Sequence, residues 1–284
     1  MDGHEGTSET APVARLNDSG YDIAAAEPDA WRHYDRDAPD PGYFQFDWFS
    51  ARHPDLYHRF ALTSDALVSE LEQLVDLRGL DVIDVGAGTG RSAIGLARTA
   101  ASVLAVDAYA SVIDFGERAV REAGLTNVRY RRGDRSQLPA PDGSVDAVVC
   151  CWAELDQVEA VRVLKPGGLL VHMGGHPTGP DELTPILSED FPELVLANQQ
   201  DSLRDPHRGA VDITLPASDW PDVPMGKDAL HAHDFTYTAD YGTVEEAAAI
   251  FGRLFGPKSA QYLLDRKQAT VWSRLRIWYA RVEK

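Results

Sequence analysis

Val82-Ile83-Asp84-Val85-Gly86-Ala87-Gly88-Thr89-Gly90 is the stretch that decides the fold of this 284-residue chain. An apolar segment typical of a β-strand leads into three glycines at alternate positions, and a helix is predicted to begin near Arg91. Glycine permits backbone dihedrals closed to other residues and lets a ligand come close to the main chain. A turn of this kind, between a strand and a helix, is where doubly wound α/β sheets hold nucleotide-like cofactors.

The spacing of the glycines distinguishes this turn from that of dinucleotide-binding enzymes, whose pattern is GxGxxG. Here the third glycine, Gly90, comes one position early, and Arg91 stands where the dinucleotide pattern has glycine. The acidic residue Asp84 lies two positions before the first glycine. This arrangement resembles the first motif of the class I S-adenosylmethionine-dependent methyltransferases, which is an acidic residue, any residue, then GxGxG.

Three further stretches follow in the order seen in that family, so the resemblance covers residues 79–173 and leaves 1–60 and 174–232 outside it. The first is an apolar strand that ends in a carboxylate, the second is an acidic turn, and the third is an apolar run followed by a helix end and a glycine pair. They are Val103–Asp107, Gly133-Asp134-Arg135, and residues 142–152 with Leu164-Lys165-Pro166-Gly167-Gly168.

The resemblance implies S-adenosylmethionine as the cofactor and assigns residues to its parts. Asp107 ends the second strand, where a carboxylate can accept hydrogen bonds from both ribose hydroxyls. Asp134 would accept the adenine amino group, with the backbone of Arg135 against the ring, and Cys151 would lie beside the sulfonium. The methionine end and the rest of the cofactor site fall to Asp84, Gly86, Ala87, Gly88, Gly90 and Ala108.

Each of these side chains also has a purely structural interpretation. Asp107 fits a helix N-cap as well as a ribose ligand. Asp134 fits a surface turn, in which aspartate is common. Cys151 fits a small apolar residue buried in the sheet. The glycine turn favours the cofactor role for the two aspartates.

Strands and helices are predicted to alternate through the centre of the chain. Nearly continuous apolar strands in such an alternation indicate a parallel sheet covered on both faces. We therefore predict an α/β fold with a doubly wound, mostly parallel seven-stranded sheet, whose last two strands form a closing hairpin as in the family. The predicted strands are 80–85, 103–106, 128–131, 145–150, 169–173, 235–238 and 271–282; the helices are 91–99, 111–123, 155–163, 244–255 and 259–265.

The composition divides the chain into regions. Residues 1–20 are polar and aperiodic and are predicted to be a mobile tail. Residues 21–78 form a helical, aromatic-rich extension, which either closes as a lid over the site or packs its rings on the main domain. The methyltransferase domain spans 79–284. Within it, residues 174–232 are too long for an ordinary loop and are predicted to be an insertion over the substrate site, with one helix at 181–197.

The net charge of −18, from 45 acidic and 27 basic residues, disfavours a nucleic-acid partner. No apolar run is long enough to span a membrane. The first residues lack the apolar core of a signal peptide. The adjacent Cys150 and Cys151 point to opposite faces of one strand and cannot readily pair, so a cytoplasmic protein is expected.

The acceptor is predicted to be a small molecule with an O, N or C nucleophile. His176 follows the fifth strand at the binding edge of the sheet and is the candidate general base; the alternatives are His58, His172, His231 and His233. Cys-Cys-Trp-Ala at 150–153 replaces the Asn-Pro-Pro-Tyr/Phe tetrad of enzymes that methylate amide or base nitrogens, which argues against such substrates. No spacing of acidic residues demands a metal ion.

Other classes of function stay open at this stage. The chain could bind the cofactor for chemistry other than methyl transfer, bind it without turnover as a partner protein, or use a nicotinamide cofactor as an oxidoreductase. The early third glycine argues against the last. The sequence also leaves open whether two copies associate as a homodimer.

Overall fold

The computed structural model describes residues 50, 53–177, 182–183, 207 and 209–284. The predicted tail at 1–20 and the aromatic extension as far as residue 49 lie outside these ranges. So does the predicted helix at 181–197, apart from residues 182–183.

The order of elements in the described ranges follows the predicted alternation. The strands are β1 (Asp81–Val85), β2 (Ser102–Asp107), β3 (Val128–Arg132), β4 (Val145–Cys151), β5 (Leu164–Gly175), β6 (Val211–Leu215), β7 (Leu230–Asp240) and β8 (Thr270–Arg281). The helices are α1 (Pro54–Phe60), α2 (Leu62–Leu74), α3 (Arg91–Leu96), α4 (Ala110–Glu122), α5 (Gln157–Val163), α6 (Val244–Phe255) and α7 (Pro257–Arg266).

The strands form one eight-stranded sheet in the order β3-β2-β1-β4-β5-β8-β7-β6. Strands β1 to β5 are parallel to one another, and β8 runs antiparallel between β5 and β7. The predicted α/β fold is thus confirmed, but the sheet has eight strands and not seven. The additional strand is β6, which comes from within the predicted insertion and pairs antiparallel with β7.

The boundaries predicted for the insertion, 174 and 232, are also wrong, because both ends belong to strands. Gly174 and Gly175 extend β5 and pair with Arg276 and Leu275 of β8. At the other end β7 already begins at Leu230. These residues are strands because their backbones pair with the long strand β8. Their side chains alone do not predict a strand.

Helix α5 ends at Val163, where the predicted helix 155–163 also ends, three residues before Pro166. Leu164, its C-cap, already has extended backbone dihedrals. Lys165 precedes Pro166, and a residue before proline is disfavoured in helical conformation. The chain therefore enters β5 at Leu164, which pairs with Val145 of β4.

The sheet is buried on both faces, as expected for parallel strands with long apolar runs. On one face Leu67 and Leu71 of α2 and Leu96 of α3 pack with alternate residues of β1, β4 and β5. On the other face the intervening residues of these strands, Val148 and Leu170 among them, pack with α5 and the segment around Trp220. Because these helices cover the two faces, the carboxyl ends of the parallel strands are bordered by the loops and by α1.

Helix α1 is held at this edge by the C-terminal helices. Phe60 packs edge-on against Phe251 and Phe255 of α6, at ring-centroid distances of 5.7 and 6.0 Å. A capping box between Thr243 and Glu246 fixes the start of α6. Residues 53–60 of the predicted extension are therefore packed on the main domain beside the carboxyl ends of β1, β4 and β5.

A histidine joins the additional strand to the N-terminal helices. His233 of β7 places Nδ1 2.6 Å from Asp212 Oδ1 of β6 and Nε2 2.9 Å from Glu70 Oε1 of α2. Its side chain is 7% exposed. His233 thus has a structural position, at the end of the sheet away from the glycine turn.

Candidate functional site

The turn 86–90 joins β1 to α3 and depends on its glycines. Gly86, Gly88 and Gly90 have φ of 70°, 52° and 93°, in the region that disfavours residues with a Cβ. The amides of Gly86 and Ala87 both donate to the carbonyl of Val106, over 2.9 and 3.1 Å. A Cβ on Gly86 would lie 2.4 Å from the Cβ of Ala153, so the turn is fixed between β2 and the loop after β4.

Gly88 leaves one side of this turn open. A Cβ added there would meet nothing nearer than Tyr57 Cε1 of α1 at 3.8 Å. The main chain of the turn is therefore accessible from the side that α1 faces. This is the close backbone approach that the sequence predicts for a cofactor.

Asp107 connects the open turn to the second strand. Its Oδ2 accepts a hydrogen bond from the Gly88 amide and its Oδ1 one from the Tyr109 amide, both at 2.9 Å. Helix α4 begins at Ala110 with Tyr109 as the N-cap, so the alternative of Asp107 as the N-cap is not observed. The carboxylate instead stands at the carboxyl end of β2, beside the glycine turn.

Asp84 lies directly beneath the turn and is fully buried. Its Oδ2 accepts a hydrogen bond from Ser92 Oγ at 2.7 Å, while Oδ1 has no hydrogen-bond partner in the described part of the chain. Burial raises the pKa of this carboxyl group to about 7, Asp107 adds to the rise, and the bond from Ser92 opposes it. A buried oxygen without a partner is an acceptor that a bound ligand or a water molecule can use.

Tyr130 of β3 supports the turn from below, and the sequence analysis did not identify it. Its hydroxyl donates to the Gly88 carbonyl at 3.3 Å. A Cβ on Gly116 of α4 would lie 2.2 Å from the same hydroxyl, so glycine at 116 makes room for the ring. A glycine inside a predicted helix was the one available signal of this close approach.

Helix α1 is attached to the outer side of the turn. His58 Nδ1 lies 3.1 Å from Thr89 Oγ1, and the Arg91 guanidinium donates to the His58 carbonyl. Burial and the charge of Arg91 lower the pKa of His58 to about 4. The imidazole is thus neutral at physiological pH, which suits a hydrogen-bonded attachment between helix and turn.

The predicted adenine residues lie in an exposed turn after β3. Asp134 Oδ1 accepts bonds from the Ser136 amide at 2.8 Å and from Ser136 Oγ at 2.6 Å, and these bonds lower the pKa of Asp134. The surface-turn interpretation is therefore observed, and the adenine role stays a prediction. Arg135 pairs with Glu154 and so links this turn to the loop after β4.

Ala108 and Cys151 complete the set of predicted cofactor residues. Ala108 is exposed next to Asp107, and its carbonyl accepts a bond from Arg132 Nε at 3.1 Å. Cys151 is buried in the core at the end of β4. Burial raises the pKa of its thiol. The structure thus shows the buried sheet residue, and a role beside a sulfonium stays a prediction.

A cavity of about 370 Å³ opens at the carboxyl ends of β4 and β5, next to α1. The described residues that line it include no Asp, Glu, Lys or Arg. Its walls are mainly aromatic rings from α1, the end of β4, α6 and β8: Tyr57, Phe60, Trp152, Phe251, Phe255 and Trp278.

Trp152 has an unusual backbone at this cavity. Its φ is 58° and it is 42% exposed. The indole rests on the glycine pair that ends β5: a Cβ on Gly175 would lie 3.3 Å from the ring, and one on Gly174 3.5 Å. A bulky residue in left-handed conformation is rare, and such strain is concentrated at functional sites.

Comparison with known protein families identifies this site. Residues 82–168, from β1 into β5, match the family model described as a methyltransferase domain. This part of the chain is similar to the methyltransferase domain family. The matched range includes the glycine turn, Asp107, Asp134 and the strand β4 that ends at the cavity.

The chain is similar to several curated proteins over its central part. It is 30% identical over 132 residues to the uncharacterized methyltransferase YcgJ of Bacillus subtilis, covering 44% of this chain and 48% of that protein. It is 38% identical over 100 residues to the demethylmenaquinone methyltransferase of Tropheryma whipplei, covering 33% of this chain and 41% of that protein. The chain spans less than half the length of these relatives. The crystal structure of YcgJ superposes with a TM-score of 0.46 at 18% identity, covering 76% of this chain and 97% of that chain.

His176, the candidate base from the sequence, is not among the described residues that line the cavity and lies within a buried ion-pair cluster. Its Nε2 is 3.1 Å from Asp234 Oδ2 and 2.9 Å from Arg276 Nη2. Arg276 also pairs with Asp234 through Nε at 2.5 Å. The histidine among the described lining residues is His172, which lies on β5.

The cluster gives a prediction for stability. Burial by itself would raise the pKa of Asp234, but hydrogen bonds from Arg276 and His176 outweigh it and hold that pKa well below its usual range. We expect Asp234→Asn to lower the free energy of unfolding in urea at neutral pH by about 3–5 kcal/mol, because it leaves the Arg276 cation buried without a carboxylate. The depressed pKa also means that this stabilisation is lost as the pH falls.

Asp76→Asn is the matched control, because it breaks an ion pair of the same type, with Arg78, whose side chains are 62% and 78% exposed. We expect it to leave the free energy of unfolding nearly unchanged. Equal losses in the two variants would contradict a special role for burial at Asp234.

The described ranges contain neither a cluster of metal-binding side chains nor a long apolar helix. No group of three or more His, Cys, Asp or Glu side chains there is placed to hold a metal ion. No helix there combines the length and hydropathy needed to cross a membrane.

Proposed function

We propose that the methyltransferase domain binds S-adenosylmethionine and transfers its methyl group to a neutral small-molecule acceptor held in the aromatic cavity. The observation that carries the proposal is the position of Asp107. Its carboxylate stands against the Gly88 amide, at the one place where the glycine turn is open to a ligand.

The residues present fit this cofactor. The carboxylate of Asp107 stands at the carboxyl end of β2 beside the open turn, and carboxylate oxygens are hydrogen-bond acceptors that suit ribose hydroxyls. The open main chain of the turn and the unpartnered Oδ1 of Asp84 suit the polar methionine end. Asp134 and Arg135 would hold the adenine. When bound, S-adenosylmethionine supplies an electrophilic methyl group.

The acceptor class follows from the cavity. A charged acceptor would need an ionic partner to offset its desolvation, and the described lining offers none. A mainly apolar acceptor with an aromatic ring gains both area burial and ring contacts there. The work of the protein is then to align the nucleophile with the methyl carbon and to exclude water.

The deciding experiment is calorimetric titration of S-adenosylhomocysteine into the wild type and into Asp107→Asn. We expect micromolar binding by the wild type and about a hundredfold loss in the variant, because the amide offers fewer acceptor sites to the ribose and no charge. The exposed Asp222→Asn should bind like the wild type.

Three outcomes would contradict the proposal. Folded wild-type protein that does not bind S-adenosylhomocysteine would exclude this cofactor. Tight binding of NADH in its place would assign the turn to the nicotinamide-dependent oxidoreductases. Cofactor binding without a methylated product on any acceptor would leave the non-catalytic partner as the function.

A further inference from the structure

We propose that His172 is the catalytic base of this methyltransferase and that the acceptor is a planar aromatic compound whose hydroxyl group is methylated. This inference rests on the proposed function and adds to it the acceptor atom and the residue that takes its proton. It replaces His176, the candidate from the sequence, with a histidine four residues earlier on β5.

The first argument is position. His172 lines the cavity, where it is the only titratable side chain among the described lining residues apart from the two tyrosines, Tyr57 and Tyr241. The Tyr241 hydroxyl is already engaged, since it donates to the Phe60 carbonyl at 3.3 Å. His176 is directed at Asp234 and Arg276 instead.

The second argument is the tautomer. His172 Nε2 lies 3.0 Å from the carbonyl oxygen of Ala153. A carbonyl only accepts hydrogen bonds, so Nε2 must carry the proton, and Nδ1 then holds the lone pair. Among the described residues no group bonds Nδ1, which makes it the ring nitrogen left for an occupant of the cavity.

The third argument is the ionisation state. Burial lowers the pKa of His172 below its ordinary value, and the bond to Ala153 only partly offsets this. The imidazole is therefore neutral at neutral pH and can accept a proton.

The surroundings of the ring also stabilise the protonated form once it arises. The imidazole is stacked on Trp278, with the centroids 5.4 Å apart and the planes at 23°, because the two residues are cross-strand neighbours. A cation over an indole face is favourable. The Ala153 carbonyl accepts a stronger bond from a charged donor than from a neutral one.

The class of acceptor follows from the aromatic walls of the cavity together with the neutral imidazole of His172. The aromatic walls, with Trp152 held on the glycine pair Gly174–Gly175, favour a flat ring system. A neutral amine needs no base before it attacks a methyl group, whereas an aromatic hydroxyl becomes a good nucleophile only as it loses its proton. A neutral imidazole in a cavity whose described lining carries no charged side chain therefore points to the hydroxyl.

The atoms and charges of the step balance. The oxygen–methyl bond forms as the methyl carbon–sulfur bond breaks, so the sulfonium charge is neutralised. The hydroxyl proton goes to His172 Nδ1 and leaves an imidazolium ion. That proton passes to water when the methyl ether leaves the cavity.

The test is a binding cycle with two probes, 1-naphthol and 1-methylnaphthalene, measured by quenching of the fluorescence of the cavity tryptophans with and without S-adenosylhomocysteine. The measured quantity is the ratio of the affinities for the two probes. The difference in hydrophobicity between the probes is the same for each protein, so it cancels when the ratios of the wild type and the variant are compared. We expect His172→Phe to reduce the preference for naphthol about tenfold, the value of one hydrogen bond. Phenylalanine keeps an aromatic ring next to Trp278.

His231→Phe is the matched control, because His231 has a comparable ring contact with Tyr279 at 5.2 Å but does not line the cavity; it should keep the wild-type ratio. A second measurement needs no variant. In nitrogen NMR of the wild type, the Nδ1 resonance of His172 should move on addition of 1-naphthol and not of 1-methylnaphthalene.

An unchanged ratio in folded His172→Phe, an unmoved Nδ1 resonance, or failure of the wild type to bind either probe would each overturn the inference. The titration of S-adenosylhomocysteine decides the proposed function separately. Naphthol binding through His172 without cofactor binding would show that the cofactor assignment had failed and the cavity assignment had not.

Discussion

Replacing Gly86 by alanine is expected to destabilise the protein by about 3 kcal/mol, the combined effect of a left-handed residue with a side chain and of overpacking. The residue has a φ of 70°, and the new Cβ would lie 2.4 Å from the Cβ of Ala153. The clash is with a short side chain attached directly to the backbone, so the loop after β4 has to move. Urea unfolding measures the loss, and calorimetry should show that S-adenosylhomocysteine binding is lost as well.

Gly124 provides the control for this substitution, because it has the same backbone conformation without the contact. Its φ is 71°, and a Cβ there would meet nothing within 4 Å. Gly124→Ala should therefore show only the conformational cost, about 1 kcal/mol, and normal ligand binding. If the two variants lost equal stability, packing against Ala153 would not be what holds the turn.

The second large effect concerns Asp84, whose pKa is raised by burial from 3.8 to about 7. In the unfolded chain this group ionises near its ordinary pKa, so the folded protein binds its proton more tightly. The contribution of Asp84 to the free energy of unfolding is complete below about pH 4 and is lost as the pH rises to about 7. Above that pH the contribution no longer changes. The shift corresponds to a loss on the order of 4 kcal/mol.

Asp84→Asn isolates this contribution because asparagine does not titrate. The free energy of unfolding of the wild type, minus that of the variant, should fall steadily between about pH 4 and pH 7. Ser92→Ala should enlarge the fall, since the bond from Ser92 is what opposes the rise in pKa. A difference that stays constant over this range would show that the buried carboxyl group has an ordinary pKa.

The parts of the site that the sequence could predict are local. The spacing of the glycines determines a turn at the end of β1, and the apolar run before Asp107 places its carboxylate at the end of the next strand. Parallel strands bring their carboxyl ends to the same edge. These two residues therefore meet without further information, and the structure shows them 2.9 Å apart, from the Gly88 amide to the Asp107 carboxylate.

The other parts depend on contacts between distant segments. The choice between His172 and His176 follows from the side chains of β7 and β8 that face each histidine. Asp234 and Arg276 bind His176, whereas Trp278 stacks on His172. The positions of the two histidines in the sequence, four residues apart, do not predict these different contacts. The supporting role of Tyr130 likewise requires Gly116, which comes from a different element.

The eighth strand was missed for a similar reason. The stretch Val211–Leu215 is short and partly exposed, and its pairing with β7 is what makes it a strand. Conversely, the glycines at the end of β5 gave no strand signal, yet they pair with β8 and carry the indole of Trp152.

Strand β6 also determines how the sheet ends. A strand at the border of a sheet offers unpaired backbone groups to other chains, which favours aggregation unless the border is short or charged. Here the border is a five-residue strand that contains the 76% exposed carboxylate of Asp212, held in place by His233. Continuous pairing of backbones with a second chain along this border is therefore disfavoured.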